Sequence, residues 1–306
     1  MSEFNWIEQY FAPLATRKGA AGLVDDVAEL SGKASIVTVD ALVEGVHFLP
    51  TDPIDTVARK LVRVNVSDLI AKGARPDEAL LTLGWPKERD EVELAQFAKA
   101  FGEELGAWGI SLIGGDTVTS PDVLFLSLTL TGRVPEGAEI IRRSGARMGD
   151  ILCVTGVIGL AGPGMADAKA GHTTGESQHY QVPNIPPLEV ADFISGNATA
   201  AMDISDGLLA DTQKLIKASK CGARLYLDKV PTLNGTGTLD WVMAGCVGGD
   251  DYQSLFTLPA DVPASVLSDL PVAVTVIGRI EEGAGLKLQW HGDPVPLPEK
   301  TGFEHS

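Results

Sequence analysis

Hydrophobic and polar residues alternate over 123–131, with Leu124, Leu126, Leu128 and Leu130 on one face and Val123, Phe125, Ser127 and Thr129 on the other. That period of two predicts a half-buried strand. Residues 34–40, which end in IVTVD, read as a second strand. Between them the period changes to that of a helix. Asp52 and Pro53, a cap followed by a proline at the first helical position, open a segment that carries Ile54, Val57, Ala58 and Leu61. Leu94, Phe97, Ala98, Phe101, Leu105 and Trp108 mark the next helix.

The second half starts with strand-like DILCVTG and continues with AAMDIS, then a helix, DGLLADTQKLIKAS, with Leu208, Leu209, Leu215 and Ile216, closed by Gly222. Four further strand-like stretches follow: ARLYLDKV, YQSLFTL, AVTVIGRI and LKLQW. Residues 162–187 lack apolar periodicity and are rich in Gly, Pro and polar residues, so a mobile loop is expected there, with His172 and His179 solvated. Gly, Pro and Arg crowd into 134–150, the expected boundary between domains spanning 1–148 and 149–306. The fold class expected is α+β, built as two mixed α/β domains.

A chain of 306 residues is long enough for two domains, each with its own core. The formal charge of -17 argues against a nucleic-acid surface and against binding anionic membranes. No apolar run approaches the length of a membrane span. Cys153, Cys221 and Cys246 lack CxxC spacing and read as reduced, buried thiols, and MSEFNWIEQYF has no basic leader preceding an apolar stretch. A cytoplasmic protein is expected.

Five short segments run an apolar stretch into aspartate: LVDD with Asp25 and Asp26, IVTVD with Asp40, VNVSD with Asp68, LIGGD with Asp116, and MDISD with Asp203 and Asp206. Carboxylates brought together repel by roughly 4 kcal/mol per close pair at an effective dielectric of about 20. Such a cluster is tolerable around cations, and oxygen-only donors favour hard ions such as Mg²⁺. Asn65, Ser67 and Asp68 interrupt a helix that is otherwise apolar or basic, which asks for either ligands or hydrogen-bond partners. Gly114, Gly115 and Asp116 follow an apolar strand end, where glycines admit phosphate close to backbone N–H groups; a plain turn reads alike. Asp203, Ser205, Asp206 and Gly207 lie where a strand enters a helix, a place for phosphate or for simple capping by Ser205 or Asp206. Gly248, Gly249, Asp250 and Asp251 repeat the theme. With no Walker A loop, HRD or DFG, a phosphoryl transferase of another fold is the leading expectation.

At these positions the chain resembles the thiamine-monophosphate kinases, a family of the aminoimidazole ribonucleotide synthetase-like superfamily. The strings that carry the resemblance are VDDVAEL, TVDALVEGVHF, VNVSDLIAKGARP, LIGGDT, RSGARMGD, MDISDGL, KASKCGARL, GGDDY and GFEH, in order along nearly the whole chain. The resemblance implies two domains of that superfamily's type, a homodimer joined through the N-terminal sheets, and ATP-dependent phosphorylation of thiamine monophosphate to thiamine diphosphate. Carried over residue by residue, it implies several Mg²⁺ ions on Asp26, Thr38, Asp40, Asp68, Asp116, Asp203 and Asp206. The ATP co-substrate falls to Gly115, Asp116, Arg143 and Ser205. Acceptor contacts fall to His47, Asp250 and Phe303, the last stacking on the pyrimidine, and catalysis centres on Asp40, Asp116 and Arg143.

The chain departs from the family at Val24, which replaces a glycine, and at Val39, which replaces a hydroxyl. Asp250 and Gln253 stand where the family has glutamates, and VPNIPPLEV replaces an Arg-containing segment. Two other readings stay open: a ligase like aminoimidazole ribonucleotide synthetase, and a silent protein that binds Mg²⁺ and nucleotide.

Overall fold

The structure is a computed structural model that describes residues 24–29, 35–233 and 237–304. The N-terminal segment read for leader features lies outside the described residues, as does His305. Two sheets organise the rest. The first contains β1 (Ala28–Glu29), β2 (Ser35–Val43), β3 (Arg75–Pro86), β4 (Ser111–Ser120) and β5 (Phe125–Arg133), in the spatial order β1-β2-β5-β3-β4. The second contains β6 (Ile151–Thr155), β7 (Ala200–Asp203), β8 (Gly222–Tyr226), β9 (Ser254–Leu258), β10 (Val274–Glu281), β11 (Gly285–Trp290) and β12 (Asp293–Val295), in the order β12-β11-β8-β10-β6-β9-β7.

The alternation in β5 appears as predicted: Leu124, Leu126, Leu128 and Leu130 are fully buried, while Val123 and Phe125 face outward. β2 pairs antiparallel with β5 and sets Asp40 opposite Leu128. One face of this sheet is covered by α1 (Ile54–Ala71) and α2 (Glu91–Trp108). α1 is buried almost all round, because its other side packs against α5 (Leu188–Asn197), β7 and β9 of the second half. Gly73, at φ +72°, follows the end of α1 where an added Cβ would stand 2.9 Å from the Ser195 backbone. One continuous apolar core therefore runs from Ile36 and Leu128 through Leu61 and Leu69 to Ile194, Ala201 and Phe256.

Several local expectations are corrected. Asp52 does not cap α1: its carboxylate accepts from Leu49 N–H and Gln181 Nε2, and Pro53 precedes the helix. Residues 162–187 are not a loop but hold α3 (Ala161–Lys169) and α4 (Gly175–Gln181), the latter opened by a capping box between Thr174 and Ser177. His179 is buried on α4, whereas His172 is exposed. The helix α6 (Leu208–Ser219) is closed by Lys220 in the left-handed region, and Gly222 already belongs to β8. Gly114–Asp116 lie inside β4 rather than at a strand end. Among the described residues no helix is long and apolar enough to cross a membrane.

Candidate active site

A cleft of about 700 Å³ opens where the two halves meet. β2 brings Thr38 and Asp40 to it, α1 brings Asp68, the 24–29 segment brings Asp26, and β7 ends on Asp203 before the turn that carries Ser205 and Asp206. His47, Arg143, Asp250 and Phe303 line the same cleft. Asp26, Asp68 and Asp203 each offer a carboxylate oxygen within 4.8 Å of the others.

The polar trio of α1 serves this cluster. Asn65 accepts from Asp40 N–H at 3.0 Å and donates to the Leu61 carbonyl, so it holds β2 in place. Ser67 Oγ donates to Asp203 Oδ2 at 3.1 Å, and Asp68 accepts from the Thr38 hydroxyl. Burial, and then the charges of Asp203, Asp40 and Asp26, push Asp68 well above the ordinary carboxylate range. Burial and the neighbouring Asp26 and Asp211 do the same to Asp203. Asp40 is raised to about 6 by burial and then by Asp26 and Asp206. Asp26 moves the other way: burial favours its neutral form, but Arg143 and Lys72 outweigh that and hold it below the usual range. An all-oxygen set that cannot be fully ionised without added positive charge fits a hard divalent cation.

Sequence reasoning missed the cations that face these aspartates. Lys72, fully buried at the end of α1, pairs with Asp25 at 3.1 Å and with Asp26, and donates to the Ala201 carbonyl. Lys214 pairs with Asp206 and, at 2.8 Å, with Asp211. It also missed Asp211. Its Oδ2 accepts from the N–H groups of Ser205, Asp206 and Gly207, and this, rather than capping by Ser205 or Asp206, shapes the turn. The available signal was an acid in the first turn of α6, a lysine within the same helix, and a lysine directly after the apolar end of α1.

At the other end of the cleft, His47 Nδ1 accepts from Val43 N–H, which fixes the ring after β2. Asp251, fully buried and raised to about 8 by burial, accepts from Gly159 and Leu160 N–H and so anchors the glycine run after β6. Gln253 does not line the cleft; it bonds Thr155 and the Asn184 carbonyl. Gly115 and Asp116 are not in this cleft either. β4 is the edge of the first sheet, and register aligns Asp116 with Thr82, Ser127 and Ala41 on the face opposite the helices.

Comparison with known proteins agrees with this architecture. Residues 20–134 match the family described as AIR synthase related protein, N-terminal domain, and residues 147–291 match its C-terminal domain. A thiamine-monophosphate kinase of Caulobacter vibrioides is 36% identical, over 99% of this chain and 91% of that protein. One from Escherichia coli K12 is 34% identical over 99% of this chain and 98% of its own length. A solved structure described as AaThiL complexed with AMPPCP and TMP superposes with a TM-score of 0.86 at 28% identity, covering 100% of this chain and 97% of that one. The chain therefore belongs to the AIR synthase related family and, within it, to the thiamine-monophosphate kinases.

Proposed function

We propose that this enzyme transfers the γ-phosphoryl group of ATP directly to the phosphate of thiamine monophosphate, giving thiamine diphosphate and ADP. The observation that carries the reading is the convergence in one cleft of the Asp26–Asp68–Asp203 cluster with Arg143 and with His47, Asp250 and Phe303. The similar structure named with AMPPCP and TMP supports the choice of substrates.

Mg²⁺ ions on Asp26, Thr38, Asp40, Asp68, Asp203 and Asp206 would neutralise the two phosphate-bearing anions that must approach each other. Arg143 is then placed to meet charge on the transferring group, and Ser205 with Arg143 to hold the nucleotide. His47, Asp250 and Phe303 orient the acceptor. The attacking phosphate oxygen is already ionised at neutral pH, so the chain needs no strong general base, and none of its histidines is asked to serve as one. Asp40, on β2, lines the cleft together with both groups.

Gly115 and Asp116 enter this reading through a homodimer. The open face of the first sheet exposes Val39, Leu80, Val123 and Phe125, beside Leu112, Ile113 and Val118 on β4, an apolar surface suited to a second copy. Asp116 stands on that face, so it would meet nucleotide and metal at the joint between copies. The chain is read as a cytoplasmic enzyme with domains at 1–148 and 149–306.

Phosphorus NMR of the purified protein with ATP, Mg²⁺ and thiamine monophosphate, alongside a control lacking acceptor, tests the reading. Thiamine diphosphate and ADP should appear in equal amounts. Free phosphate, or no turnover despite ATP binding, would overturn it.

A further inference from the structure

Lys60 occupies the middle of α1, and only 2% of its side chain is exposed. Burying an ammonium is costly unless each donor finds a partner. This one does: Nζ donates to the His47 carbonyl at 2.9 Å and to Asp250 Oδ2 at 2.8 Å, and stands 4.6 Å from the centre of the Tyr180 ring. Asp250 is held from its other oxygen as well, because Tyr252 Oη donates to Oδ1 at 2.9 Å. Lys60 thus joins, across the two halves of the molecule, the turn that carries His47 and the carboxylate of Asp250.

Asp250 sits at φ +66° and Tyr252 at φ +49°, a conformation that side-chain-bearing residues adopt at a cost. The surroundings over-determine it. Asp250 N–H donates to the Ser205 carbonyl, Tyr252 N–H donates to the Ile204 carbonyl, and Asp251 between them is locked to Gly159 and Leu160. The result is a carboxylate that remains about one-third exposed to the cleft, with one lone pair of each oxygen taken and, among the described residues, no hydrogen bond on the others.

We propose that Lys60 is a positioning residue for the acceptor: it fixes Asp250 and the His47 turn in one geometry, so that Asp250 presents its free lone pairs to an N–H-bearing edge of the acceptor's aminopyrimidine. The proposal rests on the reading of Asp250 as an acceptor contact. Because Lys60 already supplies the countercharge, what Asp250 offers is directional hydrogen bonding rather than net charge for a cation. That is also how an aspartate, shorter than the family's glutamate, serves here: its carboxylate is clamped at both oxygens instead of reaching freely.

The test is a double-mutant cycle in the full-length protein, read as KM for thiamine monophosphate and for ATP separately. Lys60→Met is expected to raise the acceptor KM at least tenfold, with the ATP KM within twofold. Asp250→Asn should also raise the acceptor KM. Adding Lys60→Met to Asp250→Asn should then raise it clearly less than Lys60→Met does in the parent, since part of what Lys60 does passes through Asp250 and only its hold on the His47 turn remains. Lys60→Met acting equally in both backgrounds, or raising both KM values together, would overturn the positioning role. No effect of Lys60→Met alongside a large effect of Asp250→Asn would overturn it too, while no effect of Asp250→Asn would sink the acceptor contact itself. Should Lys60→Met fail to fold, Tyr252→Phe tests the clamp without leaving a buried charge, with an acceptor KM raised about threefold expected and an unchanged one counting against it.

Discussion

The backbone N–H of Phe303 donates to the carbonyl of Asp206 at 2.9 Å, tying the C-terminal tail to the acidic turn after β7. Ala210 N–H, in the first turn of α6, donates to the Thr301 carbonyl beside it. Gly302 lies between these two bonds so closely that a Cβ there would stand 2.5 Å from Ala210 Cβ and 2.7 Å from the Asp206 carbonyl oxygen. Gly302→Ala is therefore predicted to lift the tail and raise the acceptor KM about tenfold, with the ATP KM little changed. Steady-state kinetics with each substrate varied in turn checks this, and Phe303→Ala should show the same selective loss. Equal effects on both substrates would remove the stacking role.

Asp203→Asn should separate stability from activity. The carboxylate is buried beside Asp26, Asp68 and Asp40, and its folded pKa is raised, so removing its charge relieves repulsion. Without divalent cation the variant should be more stable than the parent by about 1 kcal/mol. With Mg²⁺ and both substrates it should lose at least a hundredfold in turnover, on the order of 3 kcal/mol. Melting curves with and without Mg²⁺, beside activity assays, give the answer; an unstabilised but active variant would contradict the metal assignment.

His179 makes stability depend on pH below neutrality. Burial, and then the charge of Lys60, lower it from 6.5 to about 4, against a smaller opposite pull from Asp250. Its Nδ1 accepts from Asn184 N–H, and Nε2 is buried without a hydrogen-bond partner among the described residues. The folded protein keeps this ring neutral while the unfolded chain protonates it near 6.5. Between those values the unfolded state binds more protons, so the contribution of this ring to stability is full above about 6.5 and falls as the pH drops towards 4, by up to on the order of 3 kcal/mol. His179→Gln should flatten that slope in denaturant titrations at a series of pH values. An unchanged slope would assign it to other groups.

Asp116 lies on the exposed edge strand, so Asp116→Asn should leave the melting temperature unchanged and abolish transfer. Mixed, reassociated dimers of Asp116→Asn with Asp203→Asn should regain about a quarter of parental activity if each cleft takes Asp116 from the other copy, by the arithmetic of random pairing in two-fold oligomers. No recovery, from mixtures shown to contain hybrid dimers, would place Asp116 with its own chain's cleft.

Much of the frame was legible because it depends on near neighbours. Leu124 to Leu130 alternate, and β5 follows; the run from Ile54 to Leu61 has helical spacing, and α1 follows. Asp26, Asp40, Asp68, Asp203 and Asp206, each ending an apolar stretch, were legible and line one cleft, whereas Asp116, read by the same sign, stands inside β4 outside it. What could not be read depends on partners far along the chain. Lys60 meets Asp250 across 190 residues and Ser67 meets Asp203 across 136. Residues 162–187 looked irregular because α3 is short and rich in Gly and Ala, with a proline, and α4 is short and polar; Tyr180 and His179 are buried by what packs on them, not by an apolar stripe of their own. Capping by Asp211 escaped notice because the acid lies inside the helix and reaches back to the turn before it.

α1 is enclosed on one side by the first sheet and on the other by α5, β7 and β9, within a single apolar core. A clam-like rotation of the two halves about 134–150 would strip water-excluding contacts from Leu61, Val66, Leu69 and Ile70 together, at roughly 1.5–3 kcal/mol for each side chain exposed. The helix between the halves therefore works as a fixed axle that holds Asp68 in register with Asp40 on one side and Asp203 on the other.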